Sequence, residues 1–206
     1  MIANTIVLRR DMTPRLGASQ PWLCVVGCLS LFLSGIASAA SISLQGTLAL
    51  SAGAANDTAA YTFFVSATST VTIQSYGYGG SGSATGGTNL AGTTIPAGGF
   101  DPYISLFTGA GPLATFLAGN DDGACPSGTS SAGLCGDSTL SLSLGSGTYT
   151  LVIGRFDNMS LAENRGSGTL GDGFIGLGNY DPVRTNEFAI DISGPSVDTI
   201  FANAFE

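Results

Sequence analysis

Leu140, Leu142 and Leu144 alternate with Ser141 and Ser143, and this two-residue period limits the fold more than any other property of the chain. Alternation sends apolar side chains to one face of an extended strand and polar ones to the other, whereas a helix would scatter them around its circumference. The pattern recurs. Ile42, Leu44, Leu48 and Leu50 alternate with Ser43, Gln45, Thr47 and Ala49, and Phe188, Ile190 and Ile192 alternate with Glu187, Ala189 and Asp191. Residues 61–65 and 70–74 are rich in β-branched and aromatic side chains, and the turn composition of residues 66–69 predicts that they form a hairpin. A second hairpin is expected from residues 103–107 and 113–117 around Gly109-Ala110-Gly111-Pro112. A third is expected from residues 140–144 and 148–153 around Gly145-Ser146-Gly147. Eight short strands with no competing segment of helical period predict an all-β fold. The expected architecture is a single antiparallel β-sandwich with jelly-roll or Greek-key connections. Two long stretches, residues 77–99 and 157–186, are rich in Gly and polar residues and read as mobile loops.

The first forty residues carry a different signal. Arg9, Arg10 and Arg15 precede a nearly unbroken apolar run over residues 22–36, and Ala37-Ser38-Ala39 supplies a small-x-small cleavage site. This predicts a secretory signal peptide over residues 1–40, cut after Ala39 or Ala40. The apolar run is shorter than the roughly 20 residues that a membrane helix needs. Val25-Val26-Gly27-Cys28 has the form of a lipoprotein cleavage box, but most of the apolar run follows Cys28, which argues against a lipid anchor. Arg9-Arg10 is not followed by the rest of a twin-arginine motif. The expected plan is therefore a signal peptide, a sandwich over residues 41–195 and a short tail over residues 196–206.

Beyond residue 40 the chain has no His, Lys or Trp. That removes the usual general base, the Schiff-base amine and the His-containing zinc site, and leaves the many serines without a familiar activating partner. A non-catalytic role is the expectation. Glu163 or Glu187 with an Asp is the residual route to glycoside hydrolysis, which needs two carboxylates at a defined separation. Arg155, Arg165 and Arg184 face thirteen carboxylates (the chain's fourteen less Asp11), a net charge of −10. Such a surface repels nucleic acid and anionic lipid, so neither is an expected partner. Cys125 and Cys135 remain as an even pair in an exported chain, and a disulfide across the turn-like residues 126–134 is expected. A loop that small contributes roughly 2–3 kcal/mol in the chain-entropy model.

Several stretches resemble one family when taken in order. These are residues 63–73, Gly98-Gly99-Phe100-Asp101-Pro102-Tyr103-Ile104-Ser105-Leu106-Phe107, Asn120-Asp121-Asp122-Gly123, Leu140-Ser141-Leu142-Ser143-Leu144, and Gly147-Thr148-Tyr149-Thr150-Leu151. Residues 60–193 are thus similar to an exported bacterial β-sandwich family of unknown function. That family is common among proteins with PEP-CTERM sorting tags and resembles bacterial pre-peptidase C-terminal domains in layout. The resemblance implies a jelly-roll-like sandwich in a non-catalytic accessory or surface protein. The Pro-Glu-Pro motif, apolar helix and basic end of the sorting tag are missing here, and residues 197–206 resemble a short tail of other secreted bacterial proteins.

Two binding chemistries follow from the loops. Asp101, Asp121, Asp122 and Asp137 fall near predicted strand ends, and converging carboxylates are ligands for calcium, which takes six to eight oxygens. Asp-Pro and Asp-Asp-Gly are also ordinary turn formers, and the spacing is not that of an EF-hand loop. Tyr76, Tyr78 and Tyr180, with Phe100 and Phe174, flank the long loops and are candidates to stack on sugars. The expected partners are accordingly extracellular polysaccharide or surface-matrix components. Asn56-Asp57-Thr58 and Asn158-Met159-Ser160 match the glycosylation acceptor pattern, which a bacterial export context gives no reason to use.

Overall fold

A computed structural model describes residues 40–49, 57–76, 86–123, 136–176 and 186–202. Alternation sorts the strands into two sheets that share their apolar faces. One sheet is formed by β1 (Ala40–Thr47), β3 (Ser69–Ser75), β8 (Thr139–Leu144) and β10 (Glu187–Gly194), in the order β1-β10-β3-β8. The other contains β2 (Ala59–Val65), β6 (Pro102–Thr108), β7 (Thr115–Asn120), β9 (Gly147–Arg155) and β11 (Val197–Ala202), in the order β11-β2-β9-β6-β7. All neighbours run antiparallel. A two-residue ladder, β4 (Gly87–Thr88) with β5 (Thr94–Ile95), stands apart from both.

Between the sheets lie Val71, Ile73, Leu140, Leu144, Phe188, Ile190 and Ile192 from the first and Phe63, Val65, Ile104, Leu106, Leu151 and Ile153 from the second. Phe63 stacks on Tyr149 with ring centroids 5.8 Å apart, and Phe188 meets the edge of Tyr61 at 6.3 Å. Each fully buried Phe, Ile or Leu contributes roughly 1.5–3 kcal/mol, which makes this seam the main source of stability.

Setting aside β4, β5 and β11, the eight longer strands have the order of a jelly roll, with consecutive strands exchanged between sheets. Two expected hairpins are therefore corrected. β2 leads into β3 and β8 into β9, but each pair is split across the sandwich, while β6 and β7 do pair. The segment expected as a tail opens with a strand: β11 pairs with β2 along the sheet edge, with a register shift between Val197 and Ile200.

Residues 157–176 are not a loose loop. Ser160 caps the short helix α1 (Leu161–Asn164) through Ala162 N–H, and a 3₁₀ turn follows at Leu170–Asp172. Ala162 and Phe174 pack with Tyr103, Phe107, Ala114 and Val152 on the outer face of the second sheet. Backbone bonds Phe116 N to Gly168 O (3.0 Å), Leu170 N to Ala114 O (2.8 Å) and Gly171 N to Pro112 O (2.7 Å) tie the segment to β7 and its hairpin. Among the described residues no helix is long and apolar enough to cross a membrane. The expected signal peptide lies outside the described residues except for Ala40, where β1 begins. The Cys125–Cys135 pair lies outside them as well.

Candidate functional site

Antiparallel pairing of β6 with β7 places the start of one beside the end of the other. Asp101 before β6 and Asp121 and Asp122 after β7 thereby reach one end of the sandwich, and Asp137 precedes β8 at the same end. Ser138 stitches these segments together. Its hydroxyl donates to Pro102 O at 2.6 Å and to Asp121 O at 3.1 Å, while its N–H donates to the Ser75 hydroxyl at 2.8 Å. Ser75 in turn donates to Asp137 Oδ1 at 3.1 Å. Asn120 Oδ1 accepts from Asp122 N–H at 3.2 Å, the local bond of a turn-forming Asn.

Burial pushes the Asp101 carboxyl up to about 7, aided by the charges of Asp122, Asp121 and Asp137 and opposed by Arg155. Burial also pushes Asp137 up to about 6, against the Ser75 bond. Arg155 is itself buried, pairs with Asp157 at 3.2 Å, and lies 5.6 Å from the Phe156 ring centroid. The four expected aspartates thus share one electrostatic neighbourhood. Among the described residues no three His, Cys, Asp or Glu side chains are grouped so as to hold one metal ion. The turn-forming side chain seen in this segment is that of Asn120.

The aromatic candidates fare differently from one another. Tyr76 is buried beside Ile95 and Ala189, and its hydroxyl donates to Asp191. Burial, then the bond to Asp191, raises its phenol well above the usual range. Its ring therefore has no open face to stack on a sugar, which corrects that expectation. Phe100 belongs to the central core and Phe174 to the outer cluster. Tyr78 and Tyr180 lie outside the described residues. Asn158 is buried, with Oδ1 accepting from Gly176 N–H at 2.7 Å, so it presents no acceptor amide to a glycosylating enzyme.

Glu163 accepts from the Tyr103 hydroxyl, which also accepts from Ser160 N–H at 3.3 Å. Burial, then the Glu163 bond and charge, raises the Tyr103 phenol. Glu187 stands on β10, in the other sheet. The Tyr103–Glu163 contact docks α1 onto β6, and Gly119 on β7 leaves room for it. A Cβ at Gly119 would fall 2.0 Å from Glu163 Oε2 and 2.9 Å from the Tyr103 hydroxyl. Gly119→Ala is therefore expected to cost about 1–3 kcal/mol by forcing the pair apart, read as a lower urea midpoint. An unchanged midpoint would mean that α1 contributes nothing to the fold.

Sequence reasoning missed Asp191. It is buried on the outer face of the first sheet and accepts from the Ser43 hydroxyl at 2.5 Å, from the Tyr76 hydroxyl and from Leu90 N–H at 2.7 Å. Beyond it the same face bears hydroxyls, exposed at Ser41 and Ser141 and half-buried at Ser193 and Thr72. Ser41, Ser193, Thr72 and Ser141 stand in one row across all four strands, with Thr70 opposite Ser143 beside them. The Thr72 and Ser141 hydroxyls are 3.1 Å apart. Comparison of the chain with protein-family models, curated proteins and solved structures finds no match.

Proposed function

We propose that this chain is an exported, non-catalytic accessory module of the bacterial cell surface or extracellular matrix, and that it contacts neutral polysaccharide through the outer face of its four-stranded sheet. One observation supports this reading most: the registered, uncharged row Ser41–Ser193–Thr72–Ser141. Strands lie about 4.7–4.9 Å apart, so such a row offers evenly spaced donors and acceptors to an extended chain of sugar hydroxyls. Each bond contributes only about 0.5–1.5 kcal/mol net, because water competes for the same groups. Useful retention then comes from repetition, either along one polysaccharide or between many copies of the module. The likeness to exported PEP-CTERM-associated proteins points to the same compartment.

Retention of the exported protein on immobilised neutral polysaccharide tests this. Thr70, Ser141 and Ser143 are exposed, so the double change Thr70→Arg and Ser141→Arg should leave the fold intact. It is expected to weaken retention at least about fivefold, the equivalent of one or two lost bonds. Retention that survives this change would remove the sheet face from the proposal. No retention of the unaltered protein would leave a purely structural role in the matrix.

A further inference from the structure

Asp101 and Pro102 share a peptide bond whose nitrogen is tertiary, and a prolyl nitrogen leaves as a secondary amine more readily than an ordinary amide nitrogen. Three features single out this bond. The Asp101 carbonyl oxygen accepts from Phe156 N–H at 2.9 Å, so one fixed donor stabilises charge that develops there. Asp101 Oδ1 is buried and has no hydrogen-bond partner, so no competing bond ties it down. The Pro102 side of the bond is held in place, where the Ser138 hydroxyl donates to Pro102 O at 2.6 Å.

We propose that the folded chain cleaves its own Asp101–Pro102 bond in a single intramolecular turnover. An oxygen of the protonated Asp101 carboxyl adds to the carbonyl carbon of the same residue, forming a C–O bond in a five-membered ring. The C–N bond to Pro102 breaks, its electron pair stays on nitrogen, and the carboxyl proton moves to that nitrogen. The products are a cyclic anhydride at Asp101 and a free prolyl amine. Water then opens the anhydride to two carboxyl groups, so the net change is peptide plus water to acid plus amine. The groups facing Asp101 favour its protonated form: burial with Asp122, Asp121 and Asp137 pushes it up to about 7, against Arg155, whose charge is shared with Asp157.

A cut here separates β1–β5 from β6–β11. β10 lies between β1 and β3, and β2 lies between β11 and β9, so the pieces interleave in both sheets. They are expected to stay assembled, and cleavage must be read under denaturing conditions.

The test incubates the purified full chain at about pH 6 and follows it by denaturing mass spectrometry. Fragments ending at Asp101 and beginning at Pro102 are expected to form about 100-fold faster from the folded chain than from the same chain in urea. An ordinary carboxyl is protonated under about 1 % of the time at that pH. In ¹⁸O-water one label per molecule should be distributed between the α- and β-carboxyls of Asp101, because water can open the anhydride at either carbonyl, whereas direct hydrolysis labels the α-carboxyl alone. Asp101→Asn and Pro102→Ala, each verified as folded by thermal melting, should both stop the reaction. An intact chain, equal rates in folded and unfolded protein, or label confined to the α-carboxyl would overturn the proposal.

Discussion

Replacing Asp191 by Ala is expected to lower stability by about 3–5 kcal/mol, because it leaves three donors around a buried position with no acceptor. The Ser43 hydroxyl can turn to another acceptor or to water. The Tyr76 hydroxyl and Leu90 N–H cannot do so as easily, since the first sits on a buried ring and the second on a fixed backbone. Removing one donor and keeping the carboxylate should cost less, so Tyr76→Phe is expected to lose about 1–2 kcal/mol. Asp191→Asn should fall between them, since it retains one carbonyl acceptor. Urea unfolding of the three variants gives the order, and hydrogen exchange at Leu90 locates the damage. If Asp191→Ala costs less than Tyr76→Phe, the carboxylate is not what secures residues 86–95 to the sheet.

That network explains why part of the molecule was hidden in its sequence. Asp191 alternates with Ile190 and Ile192 as a solvent-facing residue would, and its partners Ser43, Tyr76 and Leu90 are scattered along the chain. A two-residue period fixes which face a side chain takes and is silent about which strand stands beside it. Three of the eight main strands were legible from that period and the rest from β-branched and aromatic content and turn signals, and the β2–β3 and β8–β9 hairpins were misread because none of these signals names a neighbour. In a jelly roll both members of such a pair carry an apolar inner face, whether they pair or cross the sandwich. The packed segment 157–176 did leave a signal. Residues 103–107 and 149–153 are apolar on both faces in part, with Tyr103, Phe107 and Val152 pointing away from the central core. A strand of that kind needs cover on its second side, and Ala162 and Phe174 supply it. For the acidic loop ends, strand polarity put Asp101, Asp121, Asp122 and Asp137 at one end, as the strand order requires. The distances between their oxygens depend on turn geometry that residue types do not encode.

Stability is expected to fall by about 2–4 kcal/mol as pH rises from about 4 to about 8, the reverse of the usual acid denaturation. Asp101 is raised to about 7 and Asp137 to about 6 in the folded chain, both from an ordinary value of 3.8. Between 3.8 and those values the folded state holds protons that the unfolded state has released, so each increase in pH favours unfolding. The contribution is complete below 3.8 and is lost through about pH 7. Each tenfold gain in a carboxyl's proton affinity on folding corresponds to about 1.36 kcal/mol. Two independent carboxyls sealed from water would give a larger loss, but Asp101 is partly open to water and the two sites interact. Asp172 has the opposite sense: backbone hydrogen bonding at Thr169 lowers it, so it acts only below its ordinary range. Urea midpoints measured across that interval should decline, and Asp101→Asn should flatten the curve and gain about 1–2 kcal/mol at the alkaline end. A midpoint that climbs with pH, or an Asp101→Asn curve parallel to that of the unaltered chain, would mean that water reaches these carboxyls and keeps them ordinary.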